Sequence, residues 1–114
     1  MKKFLVTYHV PAAAMAQMGN STPEQQVEGM KQWMDWAARA GDHLVDMGTP
    51  LLPGQQLTSG GGAKNSDKEF SGYSILQAEN MEQAKALMNG HPHLNGWNAD
   101  ATIELSEAMP IPGM

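Results

Sequence analysis

Two of the chain's four histidines stand in one turn, His91-Pro92-His93, directly after a helix-ending Asn89-Gly90. Pro92 restricts His91 to extended backbone, so the turn leaves the helix stiffly. An imidazole oriented by a carboxylate is a general base near neutral pH. His9, at the end of an N-terminal strand, and Asp42, just past the first helix, are the companions on offer. Asp42 faces the negative end of that helix's dipole, an unfavourable placement that hints at a function. The candidate catalytic set is therefore His9, Asp42 and His91. The plainer reading makes His91 and His93 caps on helix-end carbonyls, where the dipole favours the imidazolium. His91-x-His93 with His9 or Asp42 also supplies part of a zinc site. Catalytic zinc needs three protein ligands and an open position, so neither a metal nor any other cofactor is expected.

Trp33 and Trp36 are the candidate ligand-binding aromatics, with His93 beside them. The apolar stripe of the first helix reads Val27, Met30, Met34, Ala37 and Ala38. Trp33 flanks that stripe. Trp36 falls well away from it, beside the polar arc of Gln25, Gln32, Asp35 and Arg39. A tryptophan there either lies over its own helix or meets a ligand or partner, since aromatics are enriched at such contacts.

Other chemistries lack their residues. The chain has 114 residues and no cysteine, which removes disulfides, thiolate metal sites and a cysteine nucleophile. Its net charge is −5, and Lys2-Lys3 is its only adjacent basic pair. Nucleic acid and anionic membrane surfaces are therefore not expected partners. No window is long and apolar enough to span a bilayer. Met1-Lys2-Lys3 with the later Ala12–Ala16 run imitates a signal peptide, but Tyr8, His9 and Pro11 interrupt the apolar segment. The chain reads as a cytoplasmic protein of one domain over residues 1–114. There is no Gly-x-Ser-x-Gly elbow and no evident carboxylate pair for glycoside chemistry. Gly60-Gly61-Gly62 carries little weight as a phosphate cradle, because no helix start or P-loop lysine follows it.

Six elements must position these residues. Lys3 to Val10 alternates as a strand, with Phe4, Val6, Tyr8 and Val10 on one face and Leu5, Thr7 and His9 on the other. Ser21-Thr22-Pro23-Glu24 starts a helix that Gly41 stops. Asp42 to Met47 opens a second strand, and Leu57-Thr58 finishes its hairpin arm. Ser59 to Glu69 reads as a polar, mobile hairpin loop. Phe70 to Ala78 is a third strand. Asn80 caps a second helix with Met81, Ala84, Leu87 and Met88 inward, and Thr102 to Glu107 is a fourth strand. Right-handed crossovers fold this β-α-β-β-α-β order into a four-stranded antiparallel sheet with both helices on one face. The other face keeps apolar residues, and a second copy of the sheet is its economical cover.

The run Gly41-Asp42-His43-Leu44-Val45-Asp46-Met47-Gly48-Thr49-Pro50-Leu51 resembles YCII-related proteins. So do the Gly72–Ala78 strand, the Asn80–Met88 helix, the His91-Pro92-His93 turn and the Met109–Met114 tail. The resemblance implies a ferredoxin-like α+β fold and a dimeric α+β barrel. Some members are suspected enzymes on account of a histidine and aspartate paired in a pocket. Typical members with that pair carry a histidine inside the first helix, whereas Glu24 to Ala40 contains none here. Two functions follow as expectations. The first is a small-molecule-binding homodimer with His/Asp acid–base chemistry in a cleft. The second is a non-catalytic interaction or assembly module.

Overall fold

The computed structural model describes residues 1–14, 21–95 and 98–112. The end of the Ala12–Ala16 run and the last two residues of the tail lie outside these. Strand β1 spans Lys2–His9, helix α1 Pro23–Ala40, β2 Leu44–Pro50, β3 Gln55–Leu57, β4 Ala63–Asn65, β5 Phe70–Ala78, α2 Met81–Leu87 and β6 Thr102–Glu107. Four strands form one sheet in the order β2-β5-β1-β6, every pair antiparallel. This α+β arrangement is compatible with a ferredoxin-like fold. No helix among the described residues is long and apolar enough to cross a membrane.

The caps are where local chemistry puts them. Thr22 accepts from the Gln25 amide while the Gln25 side chain accepts from the Thr22 amide, a reciprocal capping box ahead of Pro23. Asn80 accepts from the Gln83 amide at the start of α2. Gly41 to His43 make one 3₁₀ turn, so β2 begins two residues later than its sequence suggests.

Alternation on β1 buries Phe4, Val6 and Tyr8 on the face that both helices cover. The register sets them against Leu76, Ser74 and Gly72 of β5. Helix α1 is rotated from the expected stripe. Val27, Met30 and Met34 are 71, 53 and 54% exposed, while Trp36, at 1%, is the largest fully buried side chain. Trp33 and Ala37 pack beside it, and Ala40 is buried. These four also recur at helical spacing. Their face wins because an aromatic ring removes about 150–250 Å² from water, more than a valine or methionine can. The Trp36 indole N–H is satisfied as well, donating to Leu87 O at 2.9 Å.

The expected loop at Ser59–Glu69 is in part ordered. Ala63, Lys64 and Asn65 pair with Leu57, Gln56 and Gln55 as a two-stranded ribbon. Thr58 and Gly62 close its tip, with Thr58 N–H donating to Gly62 O at 2.9 Å. The three glycines therefore serve a turn.

Strand β2 is bulged between Asp46 and Thr49. Gly48 carries it, with φ +74° and a virtual Cβ only 1.7 Å from Tyr73 O. Only glycine accepts both the left-handed backbone and that approach. Gly48→Ala is therefore expected to lower stability by at least about 2 kcal/mol, from backbone strain plus displacement of β5. Urea denaturation checks this, and an unchanged midpoint would refute it.

Candidate functional site

Burial of polar groups is concentrated around one hydroxyl. Tyr8 Oη lies 2.7 Å from Ser74 Oγ and 3.2 Å from His91 Nε2. Ser74 Oγ–H donates to Met47 O at 2.6 Å, the carbonyl that the β2 bulge turns toward it. The His93 amide donates to His91 Nδ1 at 3.0 Å. These partners assign every proton. Nδ1 of His91 is an acceptor, so its proton sits on Nε2 and is donated to Tyr8 Oη. Tyr8 then donates to Ser74, and Ser74 to Met47 O. The chain runs one way through four elements and carries no charge.

Its surroundings keep it neutral. His91 has no exposed surface. Burial, then the charges of His93 and Arg39, push its pKa down to about 3. Burial raises the Tyr8 phenol to about 12, against a smaller opposing effect of the Ser74 hydrogen bond. Burial also lowers His93, while backbone hydrogen bonds to His9 and Thr102 pull the other way. The rings of Trp33 and Trp36 lie 4.6 and 4.3 Å from the His91 ring, centroid to centroid.

The expected acid–base set is not brought together. His9 alternates with Tyr8 and so points to the opposite face of the sheet. There its Nε2 lies 2.8 Å from Thr7 Oγ1 and 3.2 Å from Glu104 Oε2. Asp42 is exposed in the 3₁₀ turn, where its carbonyl accepts from Gln77 Nε2. Tyr8 pairs with Gly72, five residues from Gln77 along β5. That separation is roughly 16 Å at strand rise. His91 therefore has Tyr8 and its own turn as partners, with neither His9 nor Asp42 in place. It does not act as a cationic cap on α2. Its ring caps the following 3₁₀ turn, Pro92–Leu94.

A cleft of about 330 Å³ opens beside this network. Gly29, Met30 and Trp33 of α1 form one wall, the bulge at Met47 to Pro50 another, and Tyr8, Ser71 and Gly72 the floor, with His93 at one side. Two of the expected ligand-binding residues, Trp33 and His93, line it. Trp36 instead lies behind, in the core. Tyr8 and Ser74 went unnoticed in the sequence. Both are polar residues at core-facing positions of adjacent strands, and a buried phenol needs a partner. That register is the signal that would have found them.

Comparison with protein-family models, with curated proteins and with solved structures found no match. Among the described residues no three His, Asp or Glu side chains are gathered as for a metal ion.

The neutral network has a pH signature. A native His91 pKa near 3 against an ordinary value of 6.5 means that the unfolded chain binds more protons between those values. Its contribution to stability is complete above pH 6.5 and is lost as pH falls toward 3, by at most about 1.4 kcal/mol per pH unit. The interval from pH 5 to 6.5 lies within that range. His91→Gln, which keeps a donor near Tyr8, is expected to flatten the slope of unfolding free energy against pH there. Equal slopes for the two proteins would show that His91 is not held neutral in the fold.

Proposed function

We propose that this chain is a small-molecule-binding homodimer of the YCII-related kind, with the ligand taken into the cleft between α1 and the end of the sheet. Gly29 carries the reading. A glycine in mid-helix costs about 1 kcal/mol relative to alanine, so it is expected to have a packing or functional reason. Here no atom of the described residues, the neighbouring residues and the backbone of its own helix aside, lies within 4 Å of where its Cβ would stand. The space that glycine leaves is not filled by the described residues. It opens into a cavity within the size range of small-molecule sites.

Binding, rather than His/Asp acid–base chemistry, is what this geometry supports. Asp42 is at the other end of β5, and both ring nitrogens of His91 are engaged. Trp33 and His93 are the residues that meet the ligand.

The dimer reading rests on the sheet face away from the helices. Leu5 is 41% exposed there, and Ile75, its partner across the β1–β5 ladder, is half-buried. A second copy of this face would cover both, as in an α+β barrel.

Gly29→Leu tests the cleft. It fills open space and improves helix propensity, so it is expected to keep or raise stability while abolishing the binding of aromatic fragments seen by amide chemical-shift changes at Gly72 and Tyr73. Fragments that still shift those amides in the variant would refute the reading. Light scattering tests the dimer. The wild type is expected to show twice the chain mass at micromolar concentration, and Ile75→Asp the single mass with a folded circular-dichroism spectrum. A monomeric wild type would end the dimer proposal.

A further inference from the structure

The walls of this cleft restrict what it can hold. Among the described residues lining it there is no Asp, Glu, Lys or Arg. A charged ligand would lose its hydration there and gain no counter-charge, which is costly in an apolar site. The titratable groups in the wall do not replace one. Tyr8 and His93 are both shifted toward their neutral forms.

The hydroxyl protons of the floor are already committed. Tyr8 Oη–H goes to Ser74, as the one-way chain requires. Ser71 Oγ–H donates to Tyr8 O at 3.0 Å. What these two oxygens have left is lone-pair capacity, one site on the phenol after His91 and two on the serine. A group that meets the floor must therefore donate. A hydroxyl is a neutral group that can donate to such oxygens.

Size narrows the class further. An apolar cavity of roughly 150 Å³ holds one benzene ring. About 330 Å³ accommodates one or two rings. Met30, Met47 and Trp33 supply soft and aromatic contacts for them.

We infer that the ligand is an uncharged molecule of one or two rings bearing a hydroxyl, with that hydroxyl donating to the floor oxygens of Tyr8 and Ser71. This rests on the cleft being a ligand site, and the test separates the two claims. Three naphthalenes of one shape are titrated calorimetrically into the full chain at pH 7. 2-Naphthol is neutral and both donates and accepts, 2-methoxynaphthalene only accepts, and 2-naphthoate is an anion. 2-Naphthol is expected to bind at least tenfold more tightly than either of the others, and all binding is expected to be lost in Gly29→Leu. Equal affinity for 2-naphthol and 2-methoxynaphthalene would overturn the hydroxyl assignment and leave the cleft reading intact. Tightest binding of 2-naphthoate would overturn the uncharged class. Failure of all three to bind would overturn both the class and the cleft. Tyr8→Phe and, separately, Ser71→Ala keep the floor assignment falsifiable should one of them fold poorly. The advantage of 2-naphthol over 2-methoxynaphthalene is expected to shrink in each folded variant. An unchanged ratio in the folded variants would overturn the assignment of that oxygen as acceptor.

Discussion

The Tyr8 hydroxyl ties together separate parts of this structure. Through His91 it holds the exit of α2, through Ser74 it holds β5, and through Ser74 it reaches the bulged carbonyl of β2. Each hydrogen bond is worth only about 1 kcal/mol net, but an orphaned buried partner costs about 1–3 kcal/mol. The network therefore behaves as a unit. Its direction is set from outside, by the His93 amide, which occupies one ring nitrogen of His91 and leaves the other to donate. A core knit this way stays uncharged at neutral pH, and that neutrality extends to the floor of the cleft.

Packing around the network decides the shape of the cleft. Trp36 is anchored to Leu87 O and fills the interior, which rotates α1 so that Trp33 leans over Tyr8, ring centroids 5.0 Å apart and nearly perpendicular. The same rotation brings Gly29 over the end of the sheet and leaves Val27 and Met34 outside. Opposite, the Gly48 bulge presses β2 against Tyr73 and turns Met47 O inward. One wall is thus set by a tryptophan anchor and the other by a glycine bulge. Neither belongs to the His91-Pro92-His93 turn, although that turn supplies His91 behind the floor and His93 at its side.

The strands, caps and stops were legible because they depend on near neighbours. Phe70–Ala78 and Thr102–Glu107 have the bounds that alternation predicts, and Thr22 and Asn80 cap where their side chains reach the next turn's amides. The separation of His9 from His91 was also legible, since His9 alternates with Tyr8 and must face away from the core. The ribbon of Gln55–Leu57 and Ala63–Asn65 was hidden, because its residues have no apolar alternation and its pairing rests on backbone hydrogen bonds.

By itself, then, the sequence determined the order of the four sheet strands and the two helices, most of their ends, and the apolar face of β1, because periods of two and 3.6 residues and local capping act within a few residues. It also determined that no cysteine chemistry is possible. Tertiary structure alone decided the rotation of α1, since two apolar stripes compete on that helix and only packing against α2 chooses the one with Trp36. It decided that Asp42 lies roughly 16 Å along the strand from Tyr8, and so away from the His91 network. It also decided the protonation of His91, because an imidazole's charge depends on whether water or a phenol and an amide surround it.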